Sequence, residues 1–243
     1  MNNTRSHFIR KRAWDMLAFR RILWMKSDSK RFKEFFNQPG CGLEIEFGIS
    51  YRECDSRYIK TGLEKLHAAV SGYGKFVPDI TVQRDFNIEI VLNPLPKDIL
   101  ARVYWDIKRI IDCYDNFIVD ENCGIHANFL ADWSLKERFY SSLLHGGYDS
   151  SRFSHNKYKV DFWQIASSKP DGALMTFEEF VDYQRRICGK YTAVNFLKGS
   201  LIEFRALDYS WENIAYVIDL YEAAAEDIKQ TAATELLENP AFV

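Results

Sequence analysis

Gly42-Leu43-Glu44-Ile45-Glu46-Phe47 alternates apolar and acidic side chains with a period of two. A β-strand turns successive side chains to opposite faces. Leu43, Ile45, Phe47 and Ile49 therefore share one face of the strand, and Glu44 and Glu46 share the other. Two carboxylates about 4 Å apart, at an effective dielectric near 20, repel by roughly 4 kcal/mol. Water, a basic partner or a metal ion has to offset that repulsion. An exposed sheet face is the plain account of one such strand. A metal site requires other strands to bring matching groups to the same side.

Three further stretches repeat the pattern. In Asn87–Leu92, Ile88, Ile90 and Leu92 face one way and Asn87, Glu89 and Val91 the other. In Cys123–Leu130 the apolar face is Ile125, Ala127 and Phe129, with Gly124, His126 and Asn128 opposite. In Ser200–Leu207 it is Ile202, Phe204 and Ala206, with Leu201, Glu203 and Arg205 opposite. Singly, each Glu reads as a surface charge and His126 as a hydrogen-bonded sheet histidine. Jointly they predict an α+β fold, with a mostly antiparallel sheet, helices on its apolar face and an open polar face. That face would gather four carboxylates, one imidazole and one guanidinium. Oxygen-rich sites with a single His suit Mg²⁺ or Mn²⁺ better than structural zinc, and Mg²⁺ is commonly shared between carboxylates and substrate phosphates. Arg205, two residues from Glu203, could clamp a phosphoryl group bidentately.

Helical spacing sets the elements around these strands. Residues 8–36 hold no Gly or Pro and place Trp14, Leu17, Ala18, Ile22 and Met25 on one stripe. Gly62–Val70 predicts a short helix on which His67 is packed or half-exposed rather than a ligand. Asp98–Asp115 is the clearest helix, with Ile99, Leu100, Val103, Ile107, Ile110, Ile111 and Tyr114 on its stripe. Lys75–Ile80 predicts a strand paired with Asn87–Leu92. Helices are expected at Ser134–Leu144, Phe177–Ile187 and Trp211–Lys229, and a hairpin at Tyr191–Leu197 and Ser200–Leu207 across Lys198-Gly199. Residues 145–160 read as a long polar, partly basic loop, a kind of segment that often shapes a pocket.

The chain has 243 residues and a net charge of −2. Residues 1–36 carry ten Lys and Arg against three Asp and Glu, a net +7 that leaves −9 for the remainder. An anionic partner such as nucleic acid is one account of this basic segment. An apolar stripe packed on the domain, with Lys and Arg heads in water, is the other. No apolar run approaches the length of a bilayer span, and no signal-peptide pattern stands at the start. The five cysteines include no CxxC, which fits reduced thiols in a cytoplasm.

Taken in order, the motifs resemble the amidoligase family, within the carboxylate–amine ligases of the glutamine synthetase and gamma-glutamylcysteine synthetase superfamily. They are Gly42–Phe47, Asp79-Ile80-Thr81, Glu89–Pro96, Cys123–Asn128, Lys190–Asn195 and Ile202-Glu203-Phe204-Arg205. The resemblance covers about residues 41–225. It leaves residues 1–40, the basic aromatic helical segment, uncovered, and implies 41–243 as a catalytic domain with a curved, glutamine-synthetase-like sheet. It also implies an ATP-dependent ligase that phosphorylates a substrate carboxylate and lets an amine displace the phosphate. Glu46 and Glu89 would hold one Mg²⁺, and Glu44, His126 and Glu203 another. Arg205, with Glu203 and Asp79, would be catalytic, and Arg205, Lys190, Asn195 and Asn128 would contact nucleotide or substrate. Phosphoryl transfer needs positioning and charge neutralisation above all. Two departures stand out: Asn128 replaces the second His of the family's His-x-His, and Lys190-Tyr191 replaces its Arg-Tyr. Both leave room for an altered substrate.

Two other function classes compete. One is a non-catalytic binding module on a degenerate ligase fold, using the basic N-terminal segment. The other, a cysteine hydrolase pairing Cys123 or Cys41 with His126, is disfavoured because Cys123 and His126 lie three apart on a strand and face opposite sides.

Overall fold

A computed structural model of the protein describes residues 40–50, 56–78, 86–120, 123–153 and 160–238. The basic segment 1–36 and Asp79 lie outside the described residues. The chain divides into two compact units, one up to Cys123 and one from Gly124. Every strand ladder within either unit is antiparallel, and helices accompany both sets of strands.

In the first unit, β1 (Cys41–Ile49) is flanked by β3 (Phe86–Leu92) and the two-residue β4 (Phe117–Ile118), and β2 (Gly74–Pro78) pairs with β3. The period-two reading of β1 is met: Leu43, Ile45, Phe47 and Ile49 are fully buried. Helix α1 (Ser56–Val70) buries Ile59, Leu63, Leu66 and Val70 at steps of four, three and four, the spacing of one helix face. It begins six residues before the expected start. Its Gly62 lies where a Cβ would meet Phe117 Cζ at 2.7 Å, and Phe117 in turn packs on Phe47. His67 is half-buried and stacks on Phe76, as a packed helix residue should. Helix α2 (Lys97–Asp112) buries Leu100, Val103, Tyr104, Ile107 and Ile111, while Ile99 and Ile110 stay half-buried at the edges of the stripe.

In the second unit, β7 (Leu201–Leu207) lies between β5 (Ile125–Leu130) and the short β6 (Val194–Asn195). Helix α3 (Trp133–Ser142), N-capped by Asp132, packs against the closing helix α7 (Trp211–Glu238). Helix α7 lays Ile214, Val217 and Ile218 on the core, and Tyr221 stacks on Phe129 of β5. Of the stretch 145–160, read as a polar loop, residues 145–153 are described and depart from that expectation. A π-helical turn spans Leu143–Gly147, a short α4 covers Ser150–Phe153, and Tyr148 and Phe153 are buried against Phe162 and Phe204. These aromatics draw residues 148–153 onto the core. Helix α5 (Phe162–Ala166) is too short to show a period; Asp161 caps it and accepts a hydrogen bond from the Tyr148 hydroxyl. Helix α6 (Phe177–Tyr183) starts on a capping box between Thr176 and Glu179, as that pattern dictates. No helix among the described residues is long and apolar enough to cross a membrane.

Candidate functional site

The first unit carries an acidic face. In the β1–β3 ladder Glu46 stands directly opposite Glu89, and Glu44 opposite Val91. Directly opposed residues share a face at Cβ separations of about 5 Å, where like charges destabilise a sheet. Glu46 is only 8% exposed, and Glu44 and Glu89 are half-buried. Lys75, opposite Val91 on β2, is a basic residue of the same face and is exposed. Three hard oxygen donors so placed have the chemistry that Mg²⁺ or Mn²⁺ prefers.

The second unit carries a mixed polar row centred on Glu203. The β5–β7 and β6–β7 registers set Asn128 and Asn195 on either side of it. Glu203 Oε1 accepts from Lys198 Nζ at 2.9 Å and from Arg205 Nη1 at 2.8 Å, while Oε2 accepts from Asn195 Nδ2 at 2.8 Å. His126 Nδ1 stands 4.0 Å from Oε1. Lys198 Nζ also donates to Asn128 Oδ1 at 3.0 Å. A break in register between Ile125 and Ala127 marks the point where His126 enters the row.

The row is buried where an open cleft is expected: Glu203 is 2% exposed, His126 3% and Arg205 8%. Mutual pairing explains it, because charged groups enter an interior when partners replace their water. Burial pushes the Glu203 carboxyl up. The Arg205 guanidinium, the hydrogen bonds from Lys198 and Asn195 and the Lys198 charge outweigh it, and the carboxyl is held below its ordinary range. One donor stands apart: Arg205 Nε is buried with no hydrogen-bond partner among the described residues. A buried polar group left so costs about 1–3 kcal/mol.

Of the residues singled out in the sequence, His126, Asn128, Asn195, Glu203 and Arg205 come together in the second unit. Glu44, Glu46 and Glu89 share a face in the first. Lys190 is exposed, with its ammonium 5.7 Å from the Tyr191 ring centre. Lys198 joins the row without any signal in the sequence. A Lys-Gly pair between two strands reads as a solvated turn, and only the ladder registers bring its side chain back onto the row.

The turn itself is anchored from beneath. Lys136 of α3 is 5% exposed, and its Nζ donates to the carbonyls of Phe196 at 2.9 Å and Gly199 at 2.5 Å. Burial lowers its pKa. Gly199 holds φ at +50°, a conformation suited to glycine, and Ala131 N donates to Ser200 O. Lys136→Met keeps the volume but strands the buried Phe196 carbonyl. The expected result is a loss of about 1–3 kcal/mol in chemical denaturation; an unchanged midpoint would show that the anchor contributes nothing.

A surface cleft beside Ser134, Arg138, Asp227 and Thr231, where Arg138 pairs with Asp227, shares no residue with either row. No protein-family model matches the chain, and no curated protein does.

The donor sets differ in what they fit. The carboxylates of the first unit suit a divalent cation. Glu203 already accepts three hydrogen bonds, two from cations, so of the roughly four lone-pair sites of a carboxylate about one remains for a metal. The second row is built on hydrogen bonds from Lys198, Arg205 and Asn195 to Glu203.

Proposed function

We propose that this protein is an ATP-dependent carboxylate–amine ligase with an amidoligase-like, glutamine-synthetase-type catalytic domain over residues 41–243, working in a reducing cytoplasm. The observation that carries the reading is the buried, Glu203-bracketed Arg205, a guanidinium with one unpartnered donor held among carboxylate, imidazole and amide groups. The motif order of the sequence supports it. By the resemblance, Glu46 and Glu89 would hold one divalent cation, and Glu44, His126 and Glu203 would be the further metal ligands. Bound Mg²⁺ or Mn²⁺ would neutralise the nucleotide phosphates.

The chain's own groups do the rest. An oxygen of the substrate carboxylate attacks the γ-phosphorus of ATP, and the bond to the ADP oxygen breaks. Arg205 balances charge on the transferring phosphoryl oxygens. An amine nitrogen then attacks the acyl carbon of the acyl phosphate, the carbon–oxygen bond to phosphate breaks, and the nitrogen gives up a proton. The products are an amide, ADP and phosphate. Asn128, Asn195 and Lys190 serve as nucleotide or substrate contacts, and Asp79 takes the further catalytic position that the resemblance implies. Carboxylate and amine substrates are small molecules or peptides.

The test is ADP release from Mg-ATP against pooled amines and carboxylates, with products weighed by mass spectrometry. ADP formation that needs both Mg²⁺ and an amine, with a product heavier by the condensed amine, is expected. Absence of turnover, with steeply salt-dependent nucleic-acid binding that disappears on deleting residues 1–36, would move the protein to the binding-module class.

A further inference from the structure

Helix α6 runs into a second π-helical turn, Gln184–Cys188. Gln184 is fully buried; its Nε2 donates to Val194 O at 2.7 Å, and its Oε1 accepts from Phe196 N at 3.0 Å. Gly189, at φ +56°, follows, and its N–H donates to Gln184 O at 2.7 Å. Tyr191 N donates to Cys188 O at 3.2 Å. These bonds fix the turn beside β6, yet its other side chains go to the surface. Ile187 is 67% exposed, the most of any large apolar side chain among the described residues, and Tyr191 is 56% exposed. Arg185, Arg186 and Lys190 are exposed with them. Arg186 pairs with Asp182, whereas Arg185 and Lys190 have no carboxylate within ion-pairing distance among the described residues. One exposed apolar side chain is ordinary. Two on one anchored turn, beside two cations without an ion pair, have the chemistry of an interaction surface.

The turn also leads to the polar row. Along Tyr191-Thr192-Ala193-Val194-Asn195, Ala193 N donates to Val160 O at 2.9 Å and Arg205 N to Ala193 O at 2.7 Å. Asn195 Nδ2 then donates to Glu203 Oε2 at 2.8 Å. Four residue steps span at most about 14 Å. The two cations call for an anionic partner. Ile187 has no ring on which a base could stack, and Asp182 beside Arg186 repels a polyphosphate. Acidic and apolar side chains in alternation fit better than nucleic acid.

We propose that the turn Gln184–Tyr191 is a docking surface for an acidic peptide. Ile187 and Tyr191 take an apolar residue of the peptide, and Arg185 and Lys190 pair with its acidic side chains. This deepens the ligase reading, because the substrate carboxylate is then one carried by an acidic peptide. It rests on that reading for the reaction and on the turn alone for binding.

Fluorescence anisotropy of the full chain, without ATP, against short labelled peptides tests the binding. A peptide alternating Glu and Leu is expected to bind, more weakly as salt rises. The matching Gln and Leu peptide should bind about 5-fold more weakly or worse. Ile187→Ser should weaken binding of the Glu and Leu peptide about 5-fold or more. Arg185→Glu combined with Lys190→Glu should shift the preference about 10-fold or more toward a peptide alternating Lys and Leu. A shift of preference is a readout that a merely structural role would not give. The substituted side chains are exposed, so melting temperatures should stay at the wild-type value. Equal affinity of the wild type for the Glu and Gln peptides, or wild-type behaviour of either variant, overturns the proposal. So does labelled single-stranded oligothymidylate that binds more tightly than the peptide and is lost in the same variants, which would make the turn a nucleic-acid contact. If the peptide binds through the turn but no amide forms from any pooled substrate, the ligase reading fails and the docking surface stands. If amide forms on small carboxylates while the peptide does not bind, the ligase reading stands and the docking surface falls.

Discussion

In the ligase reading, Glu46→Gln is expected to lower Mg²⁺-dependent ATP turnover roughly 100-fold or more while leaving the melting temperature within about 4 °C of wild type. Glu46 stands directly across the ladder from Glu89 and is almost buried. The glutamine keeps the shape, the strand and the apolar face of Leu43, Ile45 and Phe47, so what disappears is an anionic oxygen donor. Thermal denaturation and an ADP-release assay on the same preparation check both. A well-folded variant that turns over at the wild-type rate would reduce Glu46 to an ordinary sheet residue.

The second large effect belongs to Arg205. Arg205→Met should cost about 3–5 kcal/mol, the usual consequence of removing one partner from a buried ion pair. That corresponds to a fall of about 6–20 °C in melting temperature for a chain of this size. In the ligase reading turnover should vanish with it, and Arg205→Lys should restore little, since an ammonium cannot reproduce the guanidinium fork. The acid limb of stability gives an independent check. Burial raises the Glu203 carboxyl pKa, and Arg205 is the leading opposing cause that brings it below the ordinary range. With the folded pKa depressed, the unfolded chain takes up the proton first as pH falls. The stabilisation is therefore complete above the ordinary carboxylate range and is lost as pH drops through the folded value. Without Arg205 burial weighs more heavily, the folded pKa climbs, and the loss should begin at higher pH. Melting curves between about pH 3 and 7 would show it; superimposable profiles for wild type and Arg205→Met would mean that the pair contributes nothing to the acid limb.

The strands and their faces were legible from residue order. Period two in β1, β3, β5 and β7 sorts apolar from polar side chains, because pleating leaves no other choice, and burial follows that sorting on the apolar face from Leu43 to Ile49. Helical spacing likewise sets the core stripes of α2 and α7. Short elements escape: β4 and β6 have two residues each and α5 five, fewer than either period needs to declare itself. Stretch 145–160 reads as a loop because its composition is polar, while Tyr148 and Phe153 turn inward in its described part, residues 145–153.

For the site, alternation names the residues but not their pairings. That Glu46 meets Glu89, and that Asn128 and Asn195 flank Glu203, are facts of register. A shift of one residue would have exchanged every face. Lys198 belongs to this class. Nothing in Lys198-Gly199 distinguishes it from a solvated turn, and only the folding of β6 back along β7, with Lys136 holding the turn, brings its ammonium to Asn128 and Glu203. Periodicity is a relation between near neighbours in the chain, so the order of residues displays it. Contacts across strands, such as Lys198 to Asn128, join residues far apart in the chain, and they take form only when the ladders close.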